Sequence, residues 1–426
     1  MLDCFARRCS HIASTLRLHD EILIVAAGMP VPLPENSDQS YPFIAHSEYF
    51  YLTGESSAGG IVAFDPRCGP EAGWVHFVPD VSEAEAIWEG KVQAPGRPLR
   101  EFDAWLATRI GRPVAALGAP LRAVAGGEPL SSRIRILFTH ARRSKDPLEL
   151  DLLHKAAAAT AAGFARARSM IVPGISERSI QIELEAEFLR NGADQPGFGT
   201  IVGAGPDSAV LHFPPGSRTI ADGDFVLIDA GAQVNRYTAD VTRTSIAGTP
   251  AAFQRDLYQV VLAAQEKAIA RCRPGTEWKD IHIACAIDLM AGLASMGIVR
   301  GEPERLFERE AHALFFPHGL GHMLGLGVRD ASGLAPGRTR DPRACLASLR
   351  MDLPLLPGYV VTIEPGLYFI PPLLSDPARR AKYRDCVNWE LVDRHMHAGG
   401  VRIEDDVLVT SQGPEVLTAM IPKNLG

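Results

Sequence analysis

Two aspartates, Asp229 and Asp240, are the first residues in this sequence whose type and spacing suggest chemistry. The apolar run 226–228 ends on Asp229, and the alternating run 239–244 contains Asp240. We predict a hairpin with its turn near residues 234–235, in which the two aspartates lie opposite each other on one face. Two buried carboxylates this close are destabilising unless they are protonated or bind a cation. Two solvated aspartates beside a turn are the alternative, and the pair alone does not separate the two interpretations.

Three further side chains of ligand type occur later in the chain. His322 ends the sequence His318-Gly-Leu-Gly-His322, a glycine-rich turn in which backbone can pass close to a ligand. An apolar run ends on Glu364, just before Pro-Gly, and Glu404 is embedded in the apolar run 400–409. Carboxylates in buried strands are rare unless they are paired or bound to metal.

Together these side chains form a set of hard, oxygen-rich ligands with one nitrogen and no thiolate. Its members are Asp229, Asp240, His322, Glu364 and Glu404. Such a set suits Mn²⁺ and tolerates Co²⁺ or Zn²⁺. Four carboxylates can also bridge two divalent ions about 3.5–4 Å apart with a hydroxide between them. We therefore predict two divalent metal ions per subunit, with Mn²⁺ as the first choice.

Length and composition predict a two-domain globular protein. The chain has 426 residues, of which 46% are hydrophobic and 22% charged, and this is too long for one small core. We place the domains at residues 1–142 and 143–426, with a basic connection at the boundary. The net charge is -7 and no Lys/Arg stripe is interleaved with aromatic residues, so we expect no nucleic-acid partner. No apolar run reaches the roughly 18 residues of a membrane span, so we expect no membrane partner.

The cysteines and the N-terminus predict a cytoplasmic location. Seven cysteines are scattered without zinc-ligand spacing, which is typical of reduced thiols. Arg7 and Arg8 are not followed by an apolar segment, so we expect no secretion signal.

Strand and helix patterns alternate in the first domain, which predicts an α/β fold. Strands are predicted at residues 21–25, 49–54, 60–64, 74–79 and 134–138. Asp146 as N-cap and Pro147 as first residue begin a long helix of the second domain. Further helices are predicted at 180–189, 251–271 and 276–296, on both sides of the aspartate hairpin in sequence.

The five ligand-type residues resemble those of the pita-bread dinuclear metallopeptidases of the proline-peptidase branch. The match consists of Asp-x10-Asp at Asp229 and Asp240, the glycine-rich turn at His322, Thr-Ile-Glu-Pro-Gly at Glu364 and Val-Arg-Ile-Glu-Asp at Glu404, in the family's order. It covers about residues 140–420. In addition, Tyr-Pro-Phe at 41–43 and Phe-Tyr-Leu-Thr-Gly at 50–54 resemble the amino domain of Xaa-Pro aminopeptidases and prolidases. The resemblance implies an α/β N-terminal domain followed by a creatinase/aminopeptidase-like pita-bread catalytic domain, and it implies a homodimer.

The same resemblance implies roles for other residues. His212 matches the family histidine that binds substrate near the scissile bond, and His318 matches the histidine that precedes the metal-binding one. Arg402 resembles the arginine that supports a metal ligand or contacts substrate. Glu364 is the implied general base or proton carrier. On sequence alone, His212 after an apolar pair would more often be a core histidine.

The resemblance to prolidases implies cleavage of Xaa-Pro dipeptides, with release of proline. Arg350, fourteen residues before Glu364, resembles the prolidase arginine segment, and a guanidinium binds a carboxylate through two hydrogen bonds. A solvated loop cation is the alternative for Arg350. Two other functions stay open, namely an Xaa-Pro aminopeptidase that acts on longer peptides and a metal-free binding protein on the same fold.

The sequence departs from the family pattern at Arg329. The family commonly has Val-His-Asp seven residues after the metal histidine, whereas this chain has Val328-Arg329-Asp330. An arginine donates hydrogen bonds but does not release its proton. We therefore predict that Arg329 binds substrate and does not transfer protons.

Overall fold

The chain folds into two compact units, Met1–Arg142 and Arg143–Gly426. The computed structural model describes residues 2–35, 39–120 and 127–425. Within these residues, no helix combines the length and apolar character needed to cross a bilayer.

Unit 1 is a mixed sheet with helices, as the alternating pattern predicts. Its helices are α1 Leu2–Leu16, α2 Ser47–Thr53, α3 Glu83–Trp88, α4 Phe102–Ala107 and α5 Glu128–Ala141. Its strands are β1 Ile22–Ala26, β2 Ile61–Phe64, β3 Trp74–Val78, β4 Arg97–Pro98 and β5 Val114–Gly118. The strand order is β4-β3-β2-β1-β5, with β1 parallel to β5 and antiparallel to β2.

Two predicted strands of unit 1 are wrong, because both segments are helical. Residues 49–54 belong to α2, which begins after the His46 cap and ends at Gly54 in the left-handed conformation. Residues 134–138 belong to α5, where Ile134 and Phe138 are buried four residues apart while Ile136 is exposed. In both segments the aromatic and β-branched composition favours a strand. In α5, however, the buried residues follow the helical period, and in α2 residues 48–52 are buried on every side of the helix.

Unit 2 consists of small sheets, antiparallel except for the parallel pair β12-β13, together with long and short helices. Its helices are α6 Pro147–Ser169, α7 Glu177–Arg190, α8 Ala252–Arg271, α9 Trp278–Ser295, α10 Pro303–Glu308, α11 Pro371–Leu374, α12 Pro377–Lys382 and α13 Trp389–Arg394. Its strands are β6 Gln195–Pro196, β7 Ile201–Ala204, β8 Phe225–Ala230, β9 Ala232–Val234, β10 Tyr237–Thr238, β11 Val241–Ile246, β12 Gly333–Leu334, β13 Met351–Asp352, β14 Val360–Ile363, β15 Gly366–Tyr368, β16 Gly400–Arg402, β17 Asp405–Thr410 and β18 Gly413–Val416. The predicted start of α6 is confirmed, since Asp146 and Glu149 form a reciprocal capping box.

Two hydrophobic cores place one face of these strands against helices. In the first, Val226 and Ile228 of β8 pack with Phe188 of α7. In the second, Val361 of β14 and Val401 of β16 pack in a cluster that also contains residues of α8 and α9. Since side chains alternate across a strand, the residues between these apolar positions point away from the helices. Those alternate positions carry the candidate ligands.

The hairpin turns one residue later than predicted. Val234 pairs with Tyr237, so the turn residues are Asn235 and Arg236, both with positive φ. In this register Asp229 faces Thr242 and not Asp240. The predicted direct opposition is therefore wrong. A shift of the turn by one residue changes the residue opposite Asp229 from Asp240 to Thr242, which is two positions further along the strand. Since side chains alternate with a period of two, Asp229 and Asp240 still project from the same face of the hairpin.

Gly231, between β8 and β9, is required by close backbone approach. A Cβ at this position would lie 1.6 Å from the carbonyl oxygen of Ala239. We predict that Gly231→Ala lowers the free energy of unfolding by about 1–3 kcal/mol or more, because the hairpin must open to admit the methyl group. Urea unfolding followed by circular dichroism measures this change.

The matched control is Gly199→Ala, because a Cβ there meets no atom within 4 Å. Equal stability of the two variants would contradict the close approach.

Candidate metal centre

The hairpin brings two carboxylates to one wall of a cavity of about 610 Å³. Asp229 lies near the end of β8, and Asp240 directly precedes β11. Both are largely buried, and both line the cavity with His322, Glu364 and Glu404. The structure thus brings together all five predicted ligands, from segments far apart in sequence.

His322 presents its Nε2 atom to the carboxylates. Its backbone N–H donates to Thr362 Oγ1 at 3.0 Å, and its Nδ1 lies 3.1 Å from the carbonyl oxygen of Met323. Because a carbonyl only accepts, Nδ1 carries the proton and the lone pair is on Nε2. Nε2 lies 3.4 Å from Asp240 Oδ2 and 3.7 Å from Glu364 Oε1.

The neighbouring glycine lets this turn approach β14. A Cβ on Gly321 would lie 2.0 Å from the carbonyl oxygen of Thr362. Only glycine therefore fits before His322 at this distance, which explains the glycine-rich sequence around the histidine.

The two glutamates follow buried strands whose alternate residues pack in the core. Ile363 and Ile403 are core residues, and Glu364 and Glu404 project to the other side. Thr242 Oγ1 donates to Glu404 Oε2 at 2.6 Å. Thr362 Oγ1 donates to Glu364 Oε1 at 3.3 Å.

The carboxylates destabilise one another's charged forms. Burial, and then the nearby Asp229, raise the pKa of Asp240 well above its ordinary value. The pKa of Glu404 is likewise raised well above its ordinary value, first by burial and then by the charge of Asp240. The pKa of Glu364 is also raised, with burial as the main cause. Without a cation, burial and mutual repulsion therefore favour the protonated forms of these acids.

A divalent cation fits the donor set. Asp240, His322 and Glu404 each offer one ligand atom, and these atoms lie within 4.8 Å of one another. Asp229 Oδ1 is buried and has no hydrogen-bond partner among the described residues. Asp229 lines the same cavity as these three ligands, and an unsatisfied buried carboxylate oxygen there is what a metal site requires before the ion binds.

Arg402 holds Asp229 in place. Its buried guanidinium donates from Nη2 to Asp229 Oδ2 at 2.7 Å, from Nε to Thr242 Oγ1 at 3.0 Å and from Nη1 to the Tyr368 hydroxyl at 2.9 Å. With these three hydrogen bonds Arg402 is placed to orient the ligand Asp229, which is one of the two roles that the sequence leaves open for it.

His318 belongs to the same hydrogen-bond network. Its Nδ1 lies 2.9 Å from the carbonyl oxygen of Gly319, so Nε2 accepts from the Tyr368 hydroxyl at 2.9 Å. Burial lowers the pKa of His318 to about 3. His318 is therefore neutral near pH 7, and both ring nitrogens are engaged.

His212, Arg329 and Arg350 lie on the open side of the centre. His212 and Arg329 line the large cavity and also an adjoining one of about 260 Å³, whereas Arg350 lines only the smaller cavity. All three side chains are exposed. The structure thus places the three predicted substrate-binding residues beside the carboxylates.

Sequence reasoning missed three residues that shape the centre, namely Thr242, Tyr368 and Asp406. Asp406 Oδ2 accepts from the backbone N–H of Asp240 at 3.1 Å. Thr242, Tyr368 and Asp406 each lie an even number of residues after a predicted ligand in sequence. For Thr242 and Tyr368, this spacing within strand-like segments could have identified them as members of the ligand face.

Comparisons with known proteins agree with this geometry. Residues 151–411 match the model of metallopeptidase family M24, and residues 5–113 match the aminopeptidase P N-terminal domain. A probable Xaa-Pro aminopeptidase of Emericella nidulans is 32% identical over 97% of this chain and 89% of its own length.

Solved structures extend the likeness over the whole chain. Pseudomonas aeruginosa aminopeptidase PepP superposes with a TM-score of 0.80 at 27% identity, covering 99% of this chain and 95% of that one. Zn-substituted Escherichia coli aminopeptidase P in complex with product superposes with a TM-score of 0.79 at 26% identity, covering 100% of this chain and 96% of that one. The names are those of aminopeptidases, so they favour the longer-peptide alternative over the prolidase expectation. The chain belongs to metallopeptidase family M24, with an α/β N-terminal domain of the aminopeptidase P type before a pita-bread catalytic domain.

Proposed function

We propose that this protein is an Xaa-Pro aminopeptidase that uses two divalent metal ions to remove the first residue from peptides with proline in second position. The cluster of four carboxylates, three of them buried, together with His322 Nε2 in the wall of an open cavity, carries this proposal. The relatives named Xaa-Pro aminopeptidase support the choice of substrate. Mn²⁺ is the proposed metal because the ligand set is mainly carboxylate, and Co²⁺ or Zn²⁺ are the alternatives.

The proposed ligands are Asp229, Asp240, His322, Glu364 and Glu404. When bound, the two ions would lower the pKa of a water molecule and polarise the substrate carbonyl. The residues of the chain supply position and proton transfer. Glu364 lies at the cavity surface with His318 Nδ1 3.9 Å away, and its carboxylate accepts the proton of the attacking water and delivers it to the proline nitrogen.

Exposed donors on the cavity wall bind the substrate. His212 and Arg329 donate to the carbonyl oxygen as it acquires negative charge. Arg329 stays protonated, so its contribution is electrostatic. His318 has no free ring nitrogen, so it orients Tyr368 and, through Tyr368, Arg402.

Dipeptidase activity is the second candidate, and Arg350 is the observation that favours it. Its exposed side chain lies in the wall of the smaller cavity together with His212 and His318. A guanidinium there could bind the carboxylate of a C-terminal proline. The homodimer and the cytoplasmic location stay predictions.

Removing one carboxylate charge should release metal. We predict that Glu404→Gln lowers bound Mn²⁺ well below two ions per chain and lowers kcat by at least about 100-fold, since an amide neither bridges nor neutralises divalent cations as a carboxylate does. Elemental analysis after gel filtration and steady-state kinetics measure the two effects. Glu415→Gln, on the exposed side of β18, is the control. Full metal content and activity in Glu404→Gln would refute the dinuclear assignment.

Substrate length separates the two candidate activities. We predict a higher kcat/KM on Ala-Pro-Ala than on Ala-Pro with Mn²⁺-loaded enzyme, because the third residue adds contacts beyond the scissile bond. Chromatographic detection of released alanine measures both rates.

The opposite preference would favour the dipeptidase. In that case Arg350→Gln should remove the preference for Ala-Pro, and Arg340→Gln, an exposed arginine outside both cavity walls, should keep it.

A further inference from the structure

Three exposed arginines surround the carboxylate cluster. Arg178 of α7 lines the larger cavity, Arg350 lines the smaller one, and Arg329 lines both. Arg178 is held in position through Nη1, which donates to Gln181 Oε1 at 2.6 Å. A peptide whose scissile bond lies at the cluster therefore meets guanidinium groups in the walls of both cavities.

Among the described residues, these three arginines form no ion pair with a carboxylate. Elsewhere on α6 and α7, exposed arginines form ion pairs, such as Arg166 with Glu183 and Arg190 with Glu187. In the part of the chain that the structure describes, no carboxylate lies within ion-pair distance of Arg178, Arg329 or Arg350.

Once divalent ions are bound, the acidic residues of the cavity would no longer balance the charge of these guanidiniums. The acidic residues in the walls of the two cavities are the four candidate ligands, as far as the described residues extend. Arg402 already pairs with one of them, Asp229. Two divalent ions would cancel the remaining negative charge, so the cavity would present a positive surface to the substrate.

The larger cavity has apolar walls beside its positively charged guanidinium groups. Phe198, Phe213 and Pro214 line it together with Arg178 and Gln181. A side chain that combines methylene groups with a terminal carboxylate matches both features, since the methylenes contact the apolar wall while the carboxylate binds the guanidinium.

We propose that Arg178 binds an acidic side chain of the first substrate residue, so that peptides beginning with Glu-Pro or Asp-Pro are preferred. This inference rests on the proposed Xaa-Pro cleavage and adds its substrate class. Arg178 lines the larger cavity and not the smaller one, so the proposal assigns the larger cavity to the first substrate residue and the smaller cavity, with Arg350, to the residues after it.

The test compares kcat/KM for Glu-Pro-Ala with that for Gln-Pro-Ala, which has the same shape without the charge. The expected ratio is about three- to fivefold, the effect of one ion pair at an exposed site. Arg178→Gln should bring the ratio close to one, and Arg178→Lys should restore part of it. Arg190→Gln, on the same helix but outside the cavity wall, should keep the full ratio.

Product binding gives a readout independent of turnover. Calorimetric titration with glutamate should show tighter binding than titration with glutamine, and Arg178→Gln should remove the difference. Equal rates on Glu-Pro-Ala and Gln-Pro-Ala would overturn the inference but leave Xaa-Pro cleavage intact. A higher rate on Ala-Pro-Glu than on Glu-Pro-Ala would also overturn it. Failure to cleave any of these peptides would instead refute the proposed function.

Discussion

The repulsion among four carboxylates, three of them buried, is the constraint on which the rest of this site depends. Burial raises the pKa of Asp240 and of Glu404, and each acid raises the pKa of its neighbours further. A folded chain keeps such a cluster charged only if it binds cations. The open cavity beside the cluster then gives water and peptide access to those cations. Geometry, electrostatics and family membership thus agree on a metal centre.

A network of neutral and cationic donors holds the cluster in position before any metal binds. Arg402 links Asp229, Thr242 and Tyr368, and Tyr368 links to His318. These bonds fix the outward oxygen atoms, so that metal binding requires little reorganisation. The same network engages both ring nitrogens of His318, which supports the proposal that Glu364, at the cavity surface, transfers the proton.

Asp229, Glu364 and Glu404 could be predicted from sequence because each interrupts an otherwise apolar strand pattern, whereas Asp240 lies in an alternating run and becomes a candidate only together with them. Segments 49–54 and 134–138 were predicted as strands because composition was weighed above the helical period of burial. The partner of Asp229 was misplaced because a two-residue turn has no unique position in a run of polar residues. Hydrogen bonds such as that of Tyr368 to Arg402 depend on tertiary contacts that spacing along the chain does not reveal.

Anomalous X-ray diffraction from crystals grown with MnCl₂ tests the central claim most directly. The proposed centre requires two manganese peaks about 3.5–4 Å apart. Both should lie among the carboxylates of Asp229, Asp240, Glu364 and Glu404, with one peak beside His322 Nε2. A cluster without any peak, or manganese bound only elsewhere on the chain, would contradict the account.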